Sequence, residues 1–147
     1  MDLKRDIKNK RGKVLTFDLP VTPSVNHIYY NTKGGGKRLT AKAENYIKMA
    51  RAKARMVIED EEWTLPSEHT WVYLDLYFFF PDRRTRDSHN CLKLLLDSLE
   101  GLCFTNDYFV MPRINLVEYD KENPRIVLRF SQQIESDRSK ALSLIEK

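Results

Sequence analysis

The chain has 147 residues, a net charge of +4 and an apolar fraction of 41%. That is the size of one domain with enough apolar material for a core, which excludes a disordered or fibrous chain. No stretch of about 18 apolar residues occurs, so no membrane span is predicted. The opening "MDLKRDIKNKRGK" has no apolar signal core, so a cytoplasmic location is expected.

Charge is distributed unevenly. Residues 1–58 carry 14 Lys/Arg against 4 Asp/Glu, and residues 59–147 carry 11 against 17. A basic half beside an acidic half suggests a surface for a polyanion and a carboxylate-bearing region; a solvated basic tail and helix is the plainer reading. Cys91 and Cys103 have no Cys or His partners at zinc spacing and are expected to be small buried hydrophobes in a reducing compartment.

In chain order, residues 1–12 are expected to be a flexible basic N-terminus and 13–132 the folded domain, with 133–147 a C-terminal helix or tail. "KVLTFDLP" (13–20) alternates, with Leu15, Phe17 and Leu19 on one side, and predicts a strand closed by Pro20. Pro23, Ser24 and Asn26 mark a turn, and Gly34 to Gly36 a loop tip between short extended pieces. Thr40 predicts a helix N-cap, with Glu44 near the position of a capping-box partner. The helix is expected to run from Ala41 to about Ile58, with Lys48, Arg51, Lys53 and Arg55 on its polar face.

"TWVYLDLYFFFP" (70–81) predicts a strand buried on both faces or at an interface. "NCLKLLLDSLEG" (90–101) predicts a helix capped by Asp87 or Ser88 and stopped by Gly101, its core side formed by Leu92, Leu95, Leu96 and Leu99. A turn is expected at Asn106–Asp107, then a strand of about 114–118. A hairpin turn at Asn123–Pro124 leads to a further strand, 124–130. Helical spacing returns at Ile134, Ala141, Leu142 and Ile145. The order favours an α+β fold: a single mixed, largely antiparallel sheet with packed helices.

Chemistry concentrates in "PDRRTRDSHNCLKLLLDSLEG" (81–101). His89, Lys93 and Asp97 fall on one helical stripe, i, i+4, i+8. Two or more carboxylates are the usual minimum for Mg²⁺, which prefers oxygen ligands. Asp87 supplies one, and Asp107 is the best second if the 105–108 turn folds back beside the helix. Lys93 offers a cation for charge developing on a phosphate, and Arg83, Arg84 and Arg86 offer clamps for neighbouring phosphates. Each residue also has a plain structural reading. Asp87 and Ser88 are ordinary caps, Lys93 and Asp97 an i, i+4 ion pair, Asp107 an Asx turn, and the arginines a solvated edge.

The segment "RDSHNCLKLLLDSLEG…NDYFV" resembles the RusA family of Holliday junction resolvases. That family places an arginine-rich stretch before D-x-D-N, a lysine, an LLD run and an aspartate pair ahead of the next strand. "PVTPSVNHIYYNTKGGGKRLTAKAENY" and "FFFPDRR" are similar to the family's opening and to the strand entering its site. The likeness spans about residues 14–130 and rests on the order and spacing of motifs rather than on any one of them.

The resemblance implies a homodimeric, Mg²⁺-dependent endonuclease, often encoded by phage or prophage, that cuts four-way DNA junctions symmetrically in recombination and repair. By position, Asp87 and Asp107 match its essential aspartates and Lys93 its lysine. Asn106 stands where relatives often have another aspartate, Asp97 matches the LLD aspartate, and Asn90 and Asp97 are expected to support the site. Lys33, Lys37, Arg38, Lys48 and Arg51, with the arginines of 83–86, are expected to hold DNA phosphates. Asn26 and Tyr30 are expected to touch DNA or hold the loop.

His89 stands where the family has its second aspartate. Three readings stay open. His89 ligates the ion and tilts preference toward Mn²⁺, it orients water, or the site is weakened and the protein grips branched nucleic acid without cutting. His27 and His69 have no such context and are read as structural or exposed. A D…E-x-K site using Glu118 and Lys121 is disfavoured because its spacing is one residue too long.

Overall fold

The computed structural model describes residues 14–24, 27–84 and 88–146. The expected flexible residues 1–12, and the expected roles of Asn26, Arg86 and Asp87, lie outside the described residues.

Among the described residues, six strands and three helices make an α+β fold. They are β1 (Leu15–Leu19), β2 (Tyr29–Asn31), β3 (Lys37–Leu39), α1 (Ala41–Glu61), β4 (Val72–Phe80), α2 (His89–Leu99), β5 (Val110–Tyr119), β6 (Arg125–Gln132) and α3 (Glu135–Ile145). The main sheet has the order β1-β6-β4-β5, and β2 and β3 form a separate two-stranded hairpin. The β1/β6 and β6/β4 pairs are antiparallel, whereas β4 and β5 are parallel.

That order corrects the expected late hairpin. β4 lies between β5 and β6, so the turn at Asn123–Pro124 carries the chain over β4 rather than back along β5. The reason is α2, which makes β4-α2-β5 a crossover unit, and a helical crossover returns a strand parallel to the one before. β5 is also longer than expected. Its early half includes Pro112, which is tolerated because β5 is an edge strand.

Alternation decides the faces. Val72, Leu74, Leu76, Phe78 and Phe80 of β4 join Leu15, Phe17 and Leu19 of β1 and Ile126, Leu128 and Phe130 of β6 in one core. α1 contributes Ala43, Tyr46, Ala50 and Ala54 to it, and α2 contributes Cys91, Leu94, Leu95 and Leu99. Leu92 and Leu96 are only half-buried, so the core stripe of α2 is rotated from the expected one and includes Ser98, whose hydroxyl donates to the Leu94 carbonyl at 2.6 Å. Fully burying a Leu or Phe contributes about 1.5–3 kcal/mol.

The other face of β4 is half-buried at Tyr73, Tyr77 and Phe79, so the aromatic run divides between core and open sheet. Both cysteines are buried, and no disulfide joins them. Burial pushes the Cys103 thiol up to about 12, which keeps it protonated and unreactive.

The helices run alongside each other from a shared upper end. Thr40 caps α1, its hydroxyl accepting from Ala43 N–H at 3.2 Å and donating to the His27 carbonyl. Glu44 stands in the acidic first turn, and its own backbone N–H donates to the Thr40 carbonyl at 3.0 Å. Tyr46 Oη donates to the Pro20 carbonyl at 2.6 Å, fixing the start of α1 at the end of β1.

At the lower end Arg51 Nη1 donates to the carbonyls of Ser98 and Glu100, both at 3.0 Å. Trp63 Nε1 donates to the Cys103 carbonyl at 3.1 Å. Ser88 sits at the N-cap of α2 without a side-chain capping bond. Gly101, at φ +82°, supplies the left-handed residue that ends α2. α3 forms over the expected segment, but Leu142, Leu144 and Ile145 are 48%, 67% and 78% exposed, so its apolar residues do not join the core.

Candidate nucleic-acid interface and cleavage site

Exposed cations stand on two loops and on the first turn of α1. The β2–β3 loop presents Lys33, Lys37 and Arg38, all exposed, around a turn in which Gly35 adopts φ +83°. Thr32 accepts and donates across that turn to Gly36. The first turn of α1 adds Lys42, and the loop after β4 adds Arg83 and Arg84, again exposed. Asp82 Oδ1 accepts from Arg84 N–H at 3.0 Å and shapes that loop, while the Arg83 guanidinium lies 4.8 Å from the Tyr119 ring centre.

A groove of about 560 Å³ opens between the segment after β1, the first turns of α1 and the end of β4, lined by Thr22, Ser24, His27, Lys42, Tyr46 and Pro81 among others. Thr22 Oγ1 is buried there with no hydrogen-bond partner among the described residues. His27, 2.8 Å from Ser24 Oγ, belongs to this wall. His69 stands edge-on to Phe109 at 5.8 Å, so both have structural contacts.

Lys48 and Arg55 point outward from α1, whereas Arg51 is half-buried on the α2 carbonyls and does not stand with the outward cations. Lys53 pairs with Asp18 at 3.1 Å. The missed signal for Arg51 was the i+4 and i+8 relation to Ile47 and Ala43, which puts its stem toward the core side.

α2 presents His89, Lys93 and Asp97 on one exposed stripe, as the spacing predicts. Lys93 Nζ is 3.8 Å from Asp97 Oδ2, a solvated i, i+4 pair of about 0.3–0.5 kcal/mol. The side chain of Asn90 lies outside the described set.

The turn after α2 is organised by Asn106 rather than Asp107: Asn106 Oδ1 accepts from Tyr108 N–H at 2.9 Å. Asp107 opens a short 3-10 turn, Asp107–Phe109, and its backbone N–H donates to Glu100 Oε1 at 3.3 Å. The expected folding back of this turn beside the start of α2 does not occur. Glu100 follows the last residue of α2 and His89 is its first, so the two regions are separated by the helix length, roughly 16 Å. Ligands of one ion stand within a few ångströms of each other. Among the described residues no group of three or more His, Cys, Asp or Glu side chains gathers at one point. His89 and the Asp107 turn, among the described residues, therefore stand too far apart to share one ion within one chain.

Sequence reasoning missed the most enclosed carboxylate. Asp75 is 3% exposed on the open face of β4. Arg113 Nε and Nη2 donate to its two oxygens at 2.7 and 2.8 Å, Asn115 Nδ2 donates at 3.0 Å, and Arg129 Nη1 lies 3.6 Å away. Burial pushes its carboxyl upward, but the bonds from Arg113 and Asn115 and the two guanidinium charges outweigh burial and hold it below the usual range. Arg113 also stacks on Tyr73 at 3.8 Å. The signal was present: one acid inside "YLDLY" demands a cation on each neighbouring strand. With its lone pairs occupied, Asp75 ties β4, β5 and β6 together.

The frame is thus a small α+β domain with exposed cations on two loops and on the first turn of α1, and a helix carrying His89 and Lys93 on its exposed stripe. The family model for Endodeoxyribonuclease RusA matches residues 18–131. The chain belongs to the RusA endodeoxyribonuclease family and is an endonuclease. Members of this family are Holliday junction resolvases that act on branched DNA with a divalent metal. No curated protein sequence matches the chain. Among the described residues, no helix is long and apolar enough to cross a membrane.

Proposed function

We propose that this protein is a cytoplasmic, homodimeric endodeoxyribonuclease that resolves four-way DNA junctions by paired, symmetric cuts in recombination and repair, in a phage or prophage setting, using Mg²⁺ or Mn²⁺. The observation that supports this most is the set of exposed cations Lys33, Lys37, Arg38, Lys42, Arg83 and Arg84, all within the span matched by the family. Cations on two loops and a helix start suit phosphates on differently directed arms, and such contacts give affinity without base reading. Lys48 adds a further exposed cation, and Arg86, Asn26 and Tyr30 adjoin these residues in the chain.

Lys93 is the proposed source of positive charge beside the scissile phosphate, held near it by Asp97. Asp87, Asp107 and His89 are the proposed metal-facing groups, supported by Asn90 and Asn106. Because the described members of that set stand apart in one chain, no step is written through an ion.

A second reading, a junction-binding protein that does not cut, is favoured by His89 in place of an acid and by that separation. Asp87→Asn and Asp107→Asn decide between them in a gel-shift and cleavage assay on a synthetic junction. The resolvase reading expects each to bind within about twofold of wild type while cleavage falls at least about 100-fold, the scale of removing one charge-stabilising group. Variants that cut as wild type does would remove these carboxylates from the site.

A further inference from the structure

We infer that the groove beside the first turns of α1 takes one DNA base turned out of its stack. The inference rests on the nuclease reading above and adds a contact that reading does not use. Three features of the groove select a base over other ligands.

The first is shape. The volume of about 560 Å³ lies within the range of clefts that hold small organic ligands, roughly 300–1,000 Å³. Lys42, Asn45, Tyr46 and Met49 fall at i, i+3, i+4 and i+7, so one stripe of α1 forms one wall. The segment from Val21 to Ser24, and Pro81 just after β4, add further walls. Tyr46 is pinned by its bond to the Pro20 carbonyl at 2.6 Å. Two prolines and a pinned ring are stiff surfaces that suit a flat ligand.

The second is the balance of the lining. Val21, Pro23, Tyr46, Met49 and Pro81 make half of it apolar. Among the described lining residues Lys42 alone is a Lys, Arg, Asp or Glu, and it is exposed. A phosphate seated in the groove would want several charged donors around it. A base instead buries two apolar faces and offers a polar edge, which leaves its backbone phosphate outside for Lys42.

The third is an unmet hydrogen bond. Thr22 is 7% exposed, and its Oγ1 has no partner among the described residues. A buried hydroxyl in that state costs stability, and the edge of a base supplies the partner. Asn45, and Ser24 with His27 at 2.8 Å from its hydroxyl, add donors and acceptors to the same groove.

A base within a duplex is paired and stacked, so capture costs least where that order is already disturbed. The centre of a four-way junction is such a place. A base caught there favours branched DNA over linear duplex.

The test replaces one base at a time beside the branch point of a synthetic junction with 2-aminopurine, which brightens when it leaves its stack. Emission is read at saturating protein with no divalent metal added. Wild type is expected to raise it severalfold at one position, and not in a linear duplex of the same sequence. Asn45→Trp fills the groove from an exposed helix position and should abolish the rise. Thr22→Val removes the unmet hydroxyl at nearly constant size. It should weaken junction binding about 2–10-fold while the free protein unfolds at the same temperature or higher.

A junction that is bound with no rise at any position overturns the inference and leaves the nuclease reading standing. A rise that survives Asn45→Trp overturns it as well. Free 2-aminopurine deoxynucleotide is titrated alongside. Its binding to wild type but not to Asn45→Trp, with a silent junction, would give the groove to a mononucleotide and overturn capture from DNA.

Discussion

Asp75 shows how a single residue can be fixed by physics and still be irrelevant to the chemistry around it. A carboxylate buried to 3% needs its charge matched, and Arg113, Arg129 and Asn115 match it from both neighbouring strands. Its carboxyl is held below the usual range. A lowered folded value means the ion pair stabilises the protein fully above the ordinary aspartate range, near 4. That stability is lost as pH falls through the folded value. Asp75→Asn is expected to cost about 2–4 kcal/mol at neutral pH, by urea unfolding, and to flatten the acid limb of the stability profile. Cleavage per folded molecule should not change. An unchanged acid limb would show that Asp75 carries no such charge coupling.

Elements were legible in the sequence where periodicity or caps were strong, and opaque where the tertiary neighbour decided. The Thr40 cap, the Gly34–Gly36 loop, the alternating β1 and the Gly101 stop follow from local chemistry and stand as expected. The partner of β6 was not legible. A short polar connection between two strands reads as a hairpin, and nothing in 119–125 reveals that β4 lies between them. The same crossover hid the separation of Asp107 from α2's start, since sequence distance along a helix and its return loop does not report direction. The β2–β3 hairpin is the element whose role is easiest to isolate. Replacing Lys33, Lys37 and Arg38 together with alanine should leave thermal stability within about 0.5 kcal/mol, because all three are exposed. Junction affinity should drop, and the slope of log K against log salt should shrink by about 2–3, measured by gel shift across a salt series. An unaltered slope would place the hairpin away from DNA.

At the scale of the whole molecule, family membership was legible from the order of weak motifs, and the match over residues 18–131 supports it. The apolar edge on β5 was not legible, because composition cannot report which strand lies at the edge of a sheet. The exposed strip at Leu116, Val117 and Tyr119, like the outward Leu144 and Ile145 of α3, reads in sequence as ordinary core material. Only the fold shows that the chain leaves it uncovered. A single domain with exposed cations on separate segments is suited to gripping a branched substrate. The most direct measurement is cleavage of a synthetic four-way junction beside a linear duplex of the same arms, with Mg²⁺ and then Mn²⁺. The account predicts paired nicks at symmetric positions in opposing strands of the junction, with the duplex left whole. A junction that is bound yet stays uncut under both ions, or a duplex cut equally well, would contradict it.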